Sequence, residues 1–133
     1  VIHRDLKPSN IRIDEEGGPD VNLDFEGTGL TVECKNVLRQ TTADGLARVD
    51  FQRTRASKGD PCSRYYGSSD FDVIAACLHS VTEKWEFRYV LQGKLDPHLK
   101  CPGKISNNVK VDGRWSDAAA DVLRAASAGA RLN

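Results

Sequence analysis

The sequence has no run near the roughly 18 consecutive apolar residues that a membrane helix needs. Even its most apolar stretch, FDVIAACLHSV at residues 71–81, carries Asp72 and His79, so no membrane partner is expected. There is no excess of either charge. Lys plus Arg and Asp plus Glu number 19 each, so bulk charge points to no polyanionic partner and only local clustering would. The four cysteines, Cys34, Cys62, Cys77 and Cys101, never reach C-x-x-C spacing, and the three histidines do not pair with them. Zinc needs clustered thiolates or imidazoles, so a zinc site is not expected. Reduced thiols in a cytoplasmic protein are expected instead, with Cys77 a core residue. The opening residues show neither a charged n-region nor an apolar h-region, so no secretory signal is expected. Internal repeats and low-complexity linkers are also missing.

What remains is 133 residues of ordinary globular composition, with 39% hydrophobic and 29% charged residues, enough for one domain with a core. DVNLDFE (20–26) alternates apolar with polar residues and predicts a half-buried strand. Gly27-Thr28-Gly29 predicts a turn, and LTVECKNV (30–37) a second strand, making a β-hairpin. Residues 38–56 are ambiguous, and 57–70 have the composition of a long surface loop. The apolar run 71–81 predicts a strand, with WEFRYVL (85–91) as its antiparallel neighbour. Residues 92–113 are loop-rich, and Ser116 or Asp117 caps a final helix over DAAADVLRAASA. The expected fold class is α/β: a small mixed β-sheet with few helices.

Two motifs carry chemistry. The first is HRDLKPSN at residues 3–10, with the spacing H-R-D-L-x-x-x-N. It resembles the catalytic loop of protein Ser/Thr kinases, and IRIDEEGGP resembles the short hairpin that follows it. That resemblance implies Asp5 as base, with Asn10 and Asp24 as metal ligands. It covers residues 1–18 well and 19–27 poorly, because Glu26 interrupts the Asp-Phe-Gly triplet and no Ala-Pro-Glu signature follows. The glycine-rich loop and strand lysine that position ATP are absent too. At this length the chain is too small for a two-lobed kinase, and the fragment alone should not transfer phosphate. A hydrolase triad from His3, Asp5 and Ser9 is discarded, since three residues within seven positions rarely reach that geometry and no nucleophile elbow is present.

The second motif is Pro19-Asp20, followed after twelve residues by Glu33-Cys34-Lys35. Phosphodiester hydrolysis uses a divalent cation, and hard carboxylate oxygens suit Mg²⁺. Strand alternation sets Glu33 and Lys35 on one face and Cys34 on the other. An acidic residue opening one strand, a glycine turn, and E-x-K in the next resembles the PD-(D/E)xK, restriction-endonuclease-like nucleases. VECKNV, QRTRASKGDP with RYY, FDVIAACL and WEFRYV are also similar to bacterial proteins of that kind.

The resemblance spans residues 18–133 and implies a restriction-endonuclease-like core, incomplete at its N-terminus. It implies catalytic Asp20, Glu33, Lys35 and Gln52, with Mg²⁺ or Mn²⁺ on Asp20 and Glu33 and with Asp24 able to assist. DNA is the implied partner, bound through Arg53, Arg55, Lys58 and Arg64 with Tyr65 and Tyr66 beside them, and homodimers are common in the family. Trp85 and Trp115 are expected to pack. The kinase pattern stops where Pro19-Asp20 begins, so the expected organisation is a kinase-like segment (1–18) joined to a nuclease-like domain (19–133), through gene recombination, gene damage or an assembly artefact. The expected function is DNA hydrolysis of restriction or repair type. The alternatives are an inactive kinase fragment and a catalytically inactive DNA-binding module.

Overall fold

Residues 11–13, 21–52, 59–67 and 69–132 are described by a computed structural model. Among the described residues seven strands, β1 (Ile11–Ile13), β2 (Val21–Phe25), β3 (Thr28–Asn36), β4 (Arg48–Asp50), β5 (Val73–Cys77), β6 (Phe87–Leu91) and β7 (Asn108–Lys110), accompany two α-helices, α1 (His79–Thr82) and α2 (Ala119–Leu132). Five strands form one sheet in the order β1-β2-β3-β5-β6, and β4 pairs with β7 in a separate two-stranded ribbon. The β3–β5 pairing is parallel and every other pairing is antiparallel. This is the small mixed sheet with few helices expected from the sequence.

The β2–β3 hairpin turns one residue earlier than expected. Phe25 pairs with Thr28, leaving Glu26 and Gly27 as the two-residue turn, with φ of 50° and 86°. Tight hairpin turns need positive φ at both positions to match strand twist, and Gly27 accepts that conformation without a Cβ clash. Thr28 and Gly29 belong to β3 instead. On the other side of β2, Ile11 pairs with Leu23 and Ile13 with Val21, so β1 is the edge of the same sheet. The kinase motif at 3–10 and the junction at 14–20 lie outside the described residues.

Apolar residues on alternate faces of β3 and β5 explain the layers. Leu30, Val32, Val73 and Ala75 face α2, where Val122 and Leu123 meet them with Leu23 and Phe25 of β2. Ser127, nearly buried, hydrogen-bonds through its hydroxyl to the Thr28 hydroxyl at 3.0 Å and fixes α2 to the hairpin. α2 begins at Ala119, two residues later than expected, and Ser116 does not cap it: its Oγ accepts from the Ala118 N–H at 3.0 Å, in the turn that leads into the helix. On the opposite face Ile74, Ala76 and Val90 pack against Val49, Phe51 and Val109, from the ribbon and the chain next to it. Every residue of β5 is buried, as an interior strand covered on both faces must be. The run it sits in is therefore continuous rather than alternating, and its last part forms α1 instead of more strand.

One expectation is corrected: Cys62 and Cys101 form a disulfide, while Cys34 and Cys77 remain free thiols. Nothing in their spacing betrays the pair. Gly67 bridges Lys104, and the Ile105 N–H donates to the Tyr66 carbonyl at 2.9 Å. Those main-chain contacts bring residues 39 apart in sequence together. The same end of the molecule holds Arg114, which donates to Asp112 at 2.9 Å, to Asp96 at 3.3 Å and to the Lys94 carbonyl at 3.1 Å.

Two outcomes are expected. The disulfide closes a loop spanning a sequence separation of 39, and loop-closure entropy for that length is about 4 kcal/mol. Dithiothreitol or Cys62→Ser should therefore lower both Tm and the denaturant midpoint in circular-dichroism melts. The Arg114 hydrogen bond holds the Asp112 carboxyl below its ordinary value of 3.8. A depressed carboxyl contributes stability that is present above the unfolded value and is lost as pH falls through the folded one. Asp112→Asn should consequently lower stability at neutral pH, with the difference from wild type closing as pH falls below about 4 and the acid limb flattened as a result.

Candidate active site

Strand alternation in β3 sends Thr31, Glu33 and Lys35 to the face covered by the ribbon, and turns Cys34, which is exposed, to the other. Glu33 is 7% exposed. A carboxylate that deep needs hydrogen-bond donors, and the Tyr66 hydroxyl donates to Glu33 Oε1 at 3.3 Å. Lys35 lies half-buried on the same face, its Nζ 4.8 Å from the centroid of the Tyr66 ring. That is within the range at which an ammonium is attracted to an aromatic face. Glu33, Lys35 and Tyr66 thus form one cluster.

The Tyr66 ring is itself held. It meets Phe51 edge-on at 6.2 Å and Phe71 at 5.9 Å, and Phe51 and Phe71 stack at 6.4 Å. Two residues before Glu33, Thr31 is clasped by Asp72: Oδ2 of Asp72 accepts from the Thr31 N–H at 2.9 Å and from its hydroxyl at 3.1 Å. This clasp pins β3 against the entry of β5. The cluster therefore rests on a fixed strand register below and a fixed aromatic group above.

The other expected residues fall differently. Asp20, Arg53, Arg55 and Lys58 lie outside the described residues. Gln52 bridges Tyr65 main chain to main chain, and its side-chain amide donates to Asp50 at 3.0 Å. Arg64 is exposed at the end of a 3₁₀ turn, Pro61–Arg64. Asp24 is exposed opposite Gly29, four residues before Glu33 along β3. At the usual strand rise that is about 13 Å, so Asp24 does not join the Glu33 cluster. Among the described residues there is no group of three or more His, Cys, Asp or Glu able to hold a metal ion together.

Tyr65 and Tyr66 were expected beside a basic loop, yet they separate. Tyr65 packs on His98 at 4.2 Å, whereas Tyr66 turns inward to Glu33. Adjacent residues in extended chain point to opposite sides, so the Tyr-Tyr pair was the only sequence sign that one of them faces inward. Trp115 packs as expected, with its indole N–H on the Lys110 carbonyl at 3.1 Å, but Trp85 is 70% exposed and stacks on His79 at 4.2 Å.

A kinase C-lobe would place a helix over residues 70–80. Here residues 73–77 are an interior strand of a sheet, and α2 lies across that sheet's face. The topology resembles that of a bacterial homing endonuclease. The solved structure of that protein, I-Ssp6803I, matches over 92% of this chain and 80% of that one, at 19% sequence identity and a TM-score of 0.51. No family model and no curated protein matches the sequence. At that identity the likeness to the homing endonuclease is one of fold.

Phe51 is fully buried beneath Tyr66. Phe51→Ala should therefore lower unfolding free energy by about 3–5 kcal/mol in urea titrations, and should loosen Tyr66 before it disturbs β3.

Proposed function

We propose that the chain is a divalent-metal-dependent endonuclease of the PD-(D/E)xK type, hydrolysing phosphodiester bonds in DNA. The observation that carries this is the E-x-K of β3: a nearly buried carboxylate and an ammonium on one strand face, both engaged by Tyr66. The homing-endonuclease fold supports it. The donor set fits a hard cation, because the group fixed at the cluster is a carboxylate, with no thiolate or imidazole among its described contacts. Asp20, immediately before β2, is the second proposed ligand. When bound, Mg²⁺ or Mn²⁺ would activate water and shield charge on the phosphate.

The protein's own groups divide the remaining work. Glu33 holds its carboxylate in place at the cluster. Lys35 supplies an ammonium two residues along the same face, positioned to orient the attacking water or to stabilise negative charge on the phosphate. Gln52 is a further proposed catalytic residue, its side-chain amide engaged with Asp50. Arg53, Arg55, Lys58 and Arg64 are proposed to contact backbone phosphates, which orients a duplex without reading its sequence. One such site cuts one strand at a time, and a homodimer would bring two sites to the two strands together. In a reducing cytoplasm thiol exchange opens disulfides. The contacts of Gly67 with Lys104 and of Tyr66 with Ile105 would then hold that segment.

Incubating supercoiled plasmid with protein and Mg²⁺ or Mn²⁺ tests the proposal. Wild-type protein should nick it, EDTA should abolish nicking, and Glu33→Ala and Lys35→Ala should each reduce the rate by about 10²-fold or more. Undiminished cleavage by both variants would refute the site. DNA binding without cleavage would instead identify an inactive DNA-binding module.

A further inference from the structure

We infer that Tyr66 is a positioning residue of this site, fixing the carboxylate of Glu33 and the ammonium of Lys35 relative to one another; the inference rests on the nuclease reading above. The phenol joins the two through different parts of one rigid side chain. Its hydroxyl donates to Glu33 Oε1 at 3.3 Å, and its ring face lies 4.8 Å from Lys35 Nζ. Neither contact alone would set the pair. Glu33 and Lys35 lie two residues apart on the strand, and both have flexible side chains whose tips need a common reference.

Tyr66 supplies that reference because it is not free to move. It is buried, contacts Phe51 and Phe71 edge-on, and sits where the Ile105 N–H donates to its own carbonyl. Metal-binding carboxylates are in general oriented by hydrogen bonds from outside the ligand set, and losing such a partner typically costs 10–100-fold in metal affinity or activity. The hydroxyl of Tyr66 stands in that relation to Glu33. Its ring performs a separable task, so removing only the oxygen should affect the metal site more than the lysine.

Tyr66→Phe in the full chain separates the two. It keeps the ring, its aromatic neighbours and the contact with Lys35. Three measurements are made on wild type and variant: Tm, Mn²⁺ binding followed by electron paramagnetic resonance of the free ion, and plasmid nicking across a Mn²⁺ titration. A modest fall in Tm is expected, because the buried Glu33 carboxylate loses a donor, with Mn²⁺ affinity weakened by about 10–100-fold. The half-saturating Mn²⁺ for nicking should rise by a similar factor, with the rate recovering at saturation. A merely structural tyrosine would lower Tm and leave the Mn²⁺ affinity of the folded protein unmoved. Equal Mn²⁺ affinity in the two proteins overturns the inference and leaves the nuclease reading standing. Wild-type protein that neither binds Mn²⁺ nor nicks DNA overturns both.

Should Tyr66→Phe fail to fold, wild-type protein labelled with 3-fluorotyrosine gives the answer by ¹⁹F resonance. The signals of Tyr65 and Tyr89 are assigned with Tyr65→Phe and Tyr89→Phe. Mg²⁺ should shift the Tyr66 signal and leave the other two largely unmoved. A Tyr66 signal that ignores Mg²⁺ overturns the inference.

Discussion

The parallel pairing of β3 with β5 is the constraint on which the rest depends. Antiparallel neighbours can be joined by two residues, but parallel ones need the chain to return to the starting end of the sheet. The chain between Asn36 and Val73 makes that return, and its described parts are extended segments and a short turn rather than an α-helix. It crosses the face opposite α2, where Phe51, Tyr66 and Phe71 close over Ile74 and Ala76. The crossover is thus both a structural necessity and the element that carries Tyr66 to Glu33.

The two faces of the sheet are specialised as a result. On the α2 side, apolar residues of β2, β3 and β5 meet an amphipathic helix, fastened to the hairpin by the Ser127–Thr28 hydrogen bond and an ion pair between Arg124 and Glu26 at 3.6 Å. On the other side, the aromatic cluster surrounds polar groups without excluding them. A buried carboxylate is costly unless satisfied, so the hydrogen bond to Glu33 and the packing of Tyr66 depend on one another. The Asp72–Thr31 clasp and the Cys62–Cys101 bond hold the two edges of this arrangement, one on the strands and one on the crossover. Chemistry placed here would inherit the rigidity of the core.

Much of the sheet was legible in the sequence. Alternation gave β2, β3 and β6, and a continuous apolar run marked β5, because a strand covered on both faces has no polar side to show. The turn was displaced by one residue because three candidates stood together and only pairing of Phe25 with Thr28 selects Glu26 and Gly27. β4 and β7 were not legible. Each has three residues, too few for a period, and they pair across nearly sixty residues of intervening chain. The disulfide was hidden for the same reason: its proximity is created by contacts of Gly67 and Ile105, not by spacing.

For the site, the sequence by itself determined that Glu33 and Lys35 share a strand face and that Cys34 does not, since a period of two admits no other result. It also marked Asp20 and the basic run from Arg53 to Arg64 as chemically suited to metal and phosphate. The tertiary structure decided which face of β3 becomes the covered one, and it removed Asp24 from the cluster by setting it opposite Gly29. It alone decided that Tyr66, 33 residues beyond Glu33, turns inward while Tyr65 turns to His98. Local periodicity fixes which residues travel together along a strand. What covers them depends on the path of the returning chain, which is set by packing between residues far apart in sequence.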